Sequence, residues 1–220
     1  MPSVNRSRPV PYGKEKMTAT AVTAITDLIL AAETLFLAGR MTAIPKARFS
    51  AAWFWSGTLL LLGVAALIGG IDHGFFELSD LPRHWIERPN WMVLAAMTFC
   101  VLMTAAAQFF SPRTRRIVLL LGFVQFAADT IAILSIDSFL VVILNYAPIM
   151  TLLLTMNLFG LKNGTGSRQM IVGILVMFAA AAIQASRVDT LSPLDHNGLY
   201  HLASMIGVAF LYHGGGQLKR

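Results

Sequence analysis

The chain has 220 residues, room for one domain or two small ones, and 56% of them are hydrophobic against 13% charged. With a mean hydropathy of +0.66, and soluble domains carrying about 25% charged residues, this excludes an ordinary soluble fold and intrinsic disorder and predicts an integral, multi-pass membrane protein. The single Cys100 excludes a disulfide scaffold, and the net charge of +6 is the Lys and Arg excess that sets membrane topology, not a nucleic-acid site.

Residues 1–16 hold Arg6, Arg8, Lys14 and Lys16 and read as a disordered basic tail, with Met17 as an alternative start and a single membrane domain over 17–220. Apolar runs of about 20 residues, the length that crosses a bilayer, predict seven spans at 20–39, 52–71, 91–110, 117–135, 138–159, 169–186 and 197–213. The expected fold is therefore an all-α bundle of seven transmembrane helices. Asp27, Glu33 and the full spanning length distinguish the first span from a cleaved signal peptide. Arg40–Ser50 breaks the pattern with Pro45, Lys46 and Arg48, residues 111–116 read as a tight basic turn, and Gly160–Ser167 has a loop composition. The long connection 72–90 interleaves Phe75, Phe76, Trp85 and Ile86 with charges, which suits a segment in the membrane interface.

Charge counting orients the bundle. The first, third and fifth loops and the carboxyl terminus (side B) hold ten Lys and Arg and no acid. The amino terminus and the even loops (side A) hold the other seven, four of them in the tail, together with eight acids. Basic loops stay in the cytoplasm, so the amino terminus is expected outside and the carboxyl terminus inside.

Ionisable groups at membrane depth cost on the order of 2.5–3.5 kcal/mol each, and Asp27, Glu33 and Asp129 fall within spans. Asp27 and Asp129 sit in the halves nearest side A; Glu33, six residues beyond Asp27, is turned about 120° from it. Four of the five histidines also belong to side A: His73 ends the second helix, His84 lies in the long loop, and His196 and His201 open the seventh. Asn197, His201 and Ser204 form one polar stripe of that helix, and Asn145 lies just before Pro148 in the fifth. A site opening to side A is expected from His73, His196, His201 and Asp129, supported by Asp27, Asn145, Asn197 and Ser204. Three imidazoles and a carboxylate are a donor set for zinc. The same residues also serve as interhelical hydrogen-bonding groups, at about 0.6 kcal/mol per contact, or as a metal-free pocket, and all three readings stand at this point. Gly69-Gly70 reads as a close helix contact, not a phosphate loop.

Seven short-looped helices, an outside amino terminus, His73 at the end of the second helix and Asp195-His196-Asn197-Gly198-Leu199-Tyr200-His201-Leu202 at the seventh resemble the CREST-type membrane hydrolases, the group that contains alkaline ceramidases. The resemblance implies zinc held by one histidine of the second helix and two of the seventh. It further implies hydrolysis of a lipid amide or ester, with a water activated at the metal; Asp129, on the fourth helix, is the residue expected to orient that water or take its proton in place of the family's third-helix Asp. The pattern departs from that family in three respects. The late histidines are five apart instead of four, Gly69 stands where a Ser is expected, and the third helix has no Asp. Those departures favour a second expectation, a non-catalytic small-molecule carrier or an accessory subunit of a membrane complex. Membrane lipids are the expected surroundings in either case, and protein partners are unspecified.

The orientation is tested by cysteine substitution in the Arg113–Arg116 segment and, separately, in 72–90. An impermeant thiol reagent applied to intact cells is expected to label the second set and not the first; the reverse pattern inverts the topology.

Overall fold

The computed structural model describes residues 12–77, 79, 82–187 and 194–220, with side chains of the first helix from Thr18 onward. Its framework is seven helices: α1 Tyr12–Ala43, α2 Ala51–Ile71, α3 His84–Phe109, α4 Pro112–Ser135, α5 Leu140–Gly160, α6 Arg168–Ser186 and α7 His196–Gly215. Six of them, all but α7, are long and apolar enough to cross a membrane. The helix starts differ from the sequence expectation where a boundary signal has two meanings. Tyr12–Lys16, read as tail, already belongs to α1, while residues 1–11 lie outside the described residues. The basic turn 112–116 is instead the first turn of α4: Ser111 accepts a hydrogen bond from Thr114 N–H and Pro112 follows it, the cap and first-position chemistry that begins a helix. Likewise α3 starts at His84 and runs through Pro89.

Chain neighbours pack side by side, and α1 closes onto α7, so that α1, α2, α3, α5, α6 and α7 form a ring. The remaining helix, α4, lies outside it against α3 and α5, and buries only Gly122, Asp129 and Ile133. Its other faces expose Ile117, Leu120, Val124 and Ile131, an apolar surface suited to lipid and unsuited to water. Within the ring the side B half is filled by Met41, Trp55, Leu59, Val101, Met150, Leu153, Met170, Ile174 and Leu211. Trp55 completes this plug by donating its indole N–H to the Leu211 carbonyl at 3.1 Å.

The seam between α6 and α7 depends on missing side chains. A Cβ on Gly214 of α7 would fall 2.7 Å from the Met170 backbone nitrogen of α6, and one on Gly173 of α6 would fall 2.7 Å from Leu211 Cδ2. The α1 seam is made differently: Thr20, Thr23, Ala24, Asp27, Ala31, Thr34, Ala38 and Met41 recur every three or four residues and are all buried. Small residues allow backbone approach where burial of apolar area supplies no drive between helices in lipid. Glu33 falls outside that stripe and is half-buried, as its angular offset from Asp27 requires.

Gly214→Ala is expected to destabilise the bundle by about 1–3 kcal/mol through overpacking. Gly39→Ala, where nothing lies within 4 Å of the added Cβ, is expected to gain up to about 1 kcal/mol of helix propensity. Thermal unfolding in detergent, compared between the two variants, gives the signs.

Candidate functional site

At its side A end α2 does not stop but widens into a π-turn over Asp72–Phe76, in which Glu77 N–H bonds the Asp72 carbonyl at 2.9 Å. Such wide turns interrupt a helix at positions that carry function, and here the turn carries His73. Asp72 is fastened from outside by Arg83, whose Nε donates to Asp72 Oδ1 at 3.1 Å and whose Nη2 bonds Oδ2, while the same guanidinium reaches Glu87 at 3.2 Å. The Asp72 carboxylate beside it raises the Arg83 pKa above its already high ordinary value, so the clamp stays charged. Across the ring, α7 begins under Asp195, which caps it by accepting from Gly198 N–H at 2.8 Å and accepts Thr23 Oγ1–H of α1 at 2.9 Å. The bond from Thr23 sets the height of α7 against α1 and brings His201 to Asp27.

Asp27 is the meeting point. Its Oδ1 is 3.1 Å from His201 Nε2 and its Oδ2 is 3.9 Å from His73 Nε2. Each ring is held by its other nitrogen: His73 Nδ1 lies 2.5 Å from Glu77 Oε2, and His201 Nδ1 lies 2.9 Å from Thr26 Oγ1. Asp27 and His201 are both buried. Gly69 makes room for the carboxylate, because a Cβ there would stand 3.1 Å from Asp27 Oδ2. The glycine pair read as a close helix contact is therefore that, and its first member backs the acid directly.

The hydrogen-bond partners assign the tautomers. A carboxylate only accepts, so His73 gives its Nδ1 proton to Glu77. Thr26 directs its single hydroxyl proton to the Thr23 carbonyl at 2.9 Å and so accepts from His201 Nδ1–H. In the neutral rings both Nε2 atoms then carry lone pairs, and both face the Asp27 carboxylate. Three acceptors gathered in a buried space require a cation between them, either a proton or a metal ion. By donor chemistry the set suits zinc, which takes neutral imidazole and carboxylate, and anchoring of each ring through its far nitrogen is the support that metal-binding histidines receive. By spacing it is a hydrogen-bonded group: among the described residues no three His, Cys, Asp or Glu side chains stand close enough together to hold a metal ion.

The other expected site residues fall elsewhere. Asp129 is buried but faces α5, where Asn145 Nδ2 donates to its Oδ2 at 2.8 Å and Gln125 Nε2 bonds Asn145 Oδ1. Because α4 packs against α3 and α5 outside the ring, this trio is separate from the histidines. His196 is the first residue of α7; five residues from His201, it is turned about 140° around the helix. Asn197 accepts from Gln184 of α6 at 3.2 Å, and Ser204 is buried one turn beyond His201. Sequence reasoning missed Thr23, Thr26 and Glu77 and gave Asp27 only a supporting part. The spacing of four between His73 and Glu77 was the available signal.

The fold and site together define a helical bundle with membrane-spanning hydropathy and, among the described residues, a His–Asp–His group in which Asp27 and His201 are buried and His73 is half-buried. The chain belongs to the family of unknown function DUF6962, whose model matches residues 22–220. No curated protein and no solved structure matches it.

A double-mutant cycle separates the two acids. Asp27→Asn with His201→Gln is expected to show a coupling of about 0.5–3 kcal/mol, and Asp129→Asn with His201→Gln to be additive within about 0.5 kcal/mol. Unfolding of the six proteins in one detergent supplies both values.

Proposed function

We propose that the protein is a seven-span membrane protein, amino terminus outside and carboxyl terminus cytoplasmic, whose Asp27–His73–His201 group is the zinc site of a hydrolase acting on a lipid amide or ester. The observation that carries this reading is the convergence of two imidazole lone pairs on one buried carboxylate, each ring anchored from behind. Asp27 takes the third donor position that the resemblance assigns to a second histidine of the last helix. Zinc held there supplies Lewis-acid polarisation of a substrate carbonyl. The chain's own groups do the rest: Thr26 and Glu77 keep the two rings in the tautomer that presents Nε2. Glu77, with its side chain 24% exposed, is the one acid of the group open enough to exchange a proton with the outside. The lipid class is supported by Phe75 and Trp85, 70% and 73% exposed on the segments flanking the site, where aromatic rings sit at headgroup depth.

A metal-free carrier is the second reading, favoured by the 3.1 Å contact of Asp27 with His201, a hydrogen-bonding distance that a proton satisfies by itself. Metal analysis of the detergent-purified protein decides between them. About one zinc per chain is expected, lost in His73→Ala and His201→Ala, bound some 10–100-fold more weakly in Glu77→Gln and retained in Asp129→Asn. Absence of stoichiometric zinc, or zinc unchanged in both histidine variants, overturns the hydrolase. Substrate flux in liposomes that survives chelators then establishes the carrier.

A further inference from the structure

At the opposite end of the molecule from the His–Asp–His group, the turn between α1 and α2 overhangs a cleft of about 510 Å³ bounded by that turn, α2 and α3. Its wall is one face of α2, since Trp53, Gly57 and Leu60 follow at intervals of four and three. Gly57 leaves the floor open: a Cβ there would lie 3.5 Å from Cys100 Sγ of α3. Trp53 and Leu60 are 40% and 46% exposed, so the lower cleft is an apolar trough open on its outer side. Its mouth is cationic. Lys46 is fixed there by donating to the carbonyls of Met41 and Ile44, both at 2.6 Å, and of Thr42 at 3.1 Å, which uses its three protons and leaves its charge, and Arg48 is exposed. Burial, and after it the nearby Arg220 charge, lower the Lys46 pKa. No Asp or Glu occurs in any loop on this side of the bundle.

We infer that this cleft binds an anionic phospholipid, with the phosphate held by Arg48 beside the Lys46 charge and an acyl chain lying along Trp53, Gly57 and Leu60 towards Cys100. The cationic mouth selects an anion, and the apolar trough beneath it selects one carrying a hydrocarbon chain, which free phosphate lacks. Trp53 meets Phe49 beside the mouth with ring centroids 5.2 Å apart and planes tilted by 54°, and aromatic rings of this kind suit headgroup depth. The inference requires only that this end of the bundle meets a membrane surface and is independent of zinc.

Cys100 is the sole thiol of the chain and reports on the floor of the cleft. The test follows its reaction rate with a maleimide in detergent micelles doped with phosphatidylglycerol, with phosphatidylcholine, or with inorganic phosphate alone. Phosphatidylglycerol is expected to slow the reaction while the other two leave it unchanged. Arg48→Gln should raise the half-protecting phosphatidylglycerol concentration about fivefold, the equivalent of roughly 1 kcal/mol per basic residue at a lipid surface, and Arg48→Lys should keep wild-type protection. As a second readout, native mass spectrometry should find phosphatidylglycerol retained by the wild type and lost from Gly57→Leu, whose new side chain fills the trough. Equal protection by phosphatidylcholine overturns the anionic preference. Protection by phosphate alone overturns the lipid, and no protection by any of the three overturns the site.

Discussion

Two imidazoles aim the same kind of atom at one buried carboxylate, and much of the side A architecture follows from keeping them there. Left alone, three acceptors at such distances repel, and desolvation magnifies the repulsion. The arrangement persists because each ring is fastened from behind, His73 by Glu77 and His201 by Thr26, and because a cation completes it. Whether that cation is a proton or a metal ion divides a carrier from a hydrolase.

The helix packing is what brings the three groups to one depth. Asp27 belongs to a stripe of threonines and alanines that lets α1 lie close to α2 and α7, and Gly69 removes the one Cβ that would press on its carboxylate. Thr23 and Thr26 serve twice, packing as small residues and bonding α7 through Asp195 and His201. On α2 the π-turn carries both His73 and Glu77, neighbours at a spacing of four, and Arg83 locks that turn through Asp72. The side B half, with its tryptophan, leucine and methionine filling and its glycine contacts between α6 and α7, is the rigid frame against which these polar ends are set.

Polar and apolar clusters at the two ends of the bundle have opposite electrostatic characters. Side A collects histidines and acids that bond one another across helices. Side B collects cations with no acid among them, and its buried amides serve the chain itself: Gln108 holds Thr165 and Lys219, and Asn157 holds Ser167. Asp129 shows how far a residue's helix decides its meaning. With Asn145 and Gln125 it forms a hydrogen-bonded trio between two helices that expose most of their surface, which is the ordinary way a polar group is satisfied at such depth.

Read by itself, the sequence was sufficient for the seven helices, most of their limits and the placing of Asp27, His73 and His201 towards one end of the bundle. Hydropathy and 3.6-residue periodicity are local properties, and unpaired polar groups in apolar runs are costly enough to be conspicuous. The errors were also local: Ser111-Pro112 and Pro89 are boundary signals whose direction depends on what the backbone does next. Only the tertiary structure decided which polar residues share a space. Asp129 and Asp27 look equivalent in sequence, each an acid near the side A end of a span, but α1 lies inside the ring beside α7 and α4 lies outside it. His196 and His201 are five residues apart, and the helix turns the first away from the second while Thr26, 175 residues distant, comes within 2.9 Å of it. Contacts between helices depend on which faces pack and at what height, and neither quantity is encoded in the spacing of residues along one chain segment.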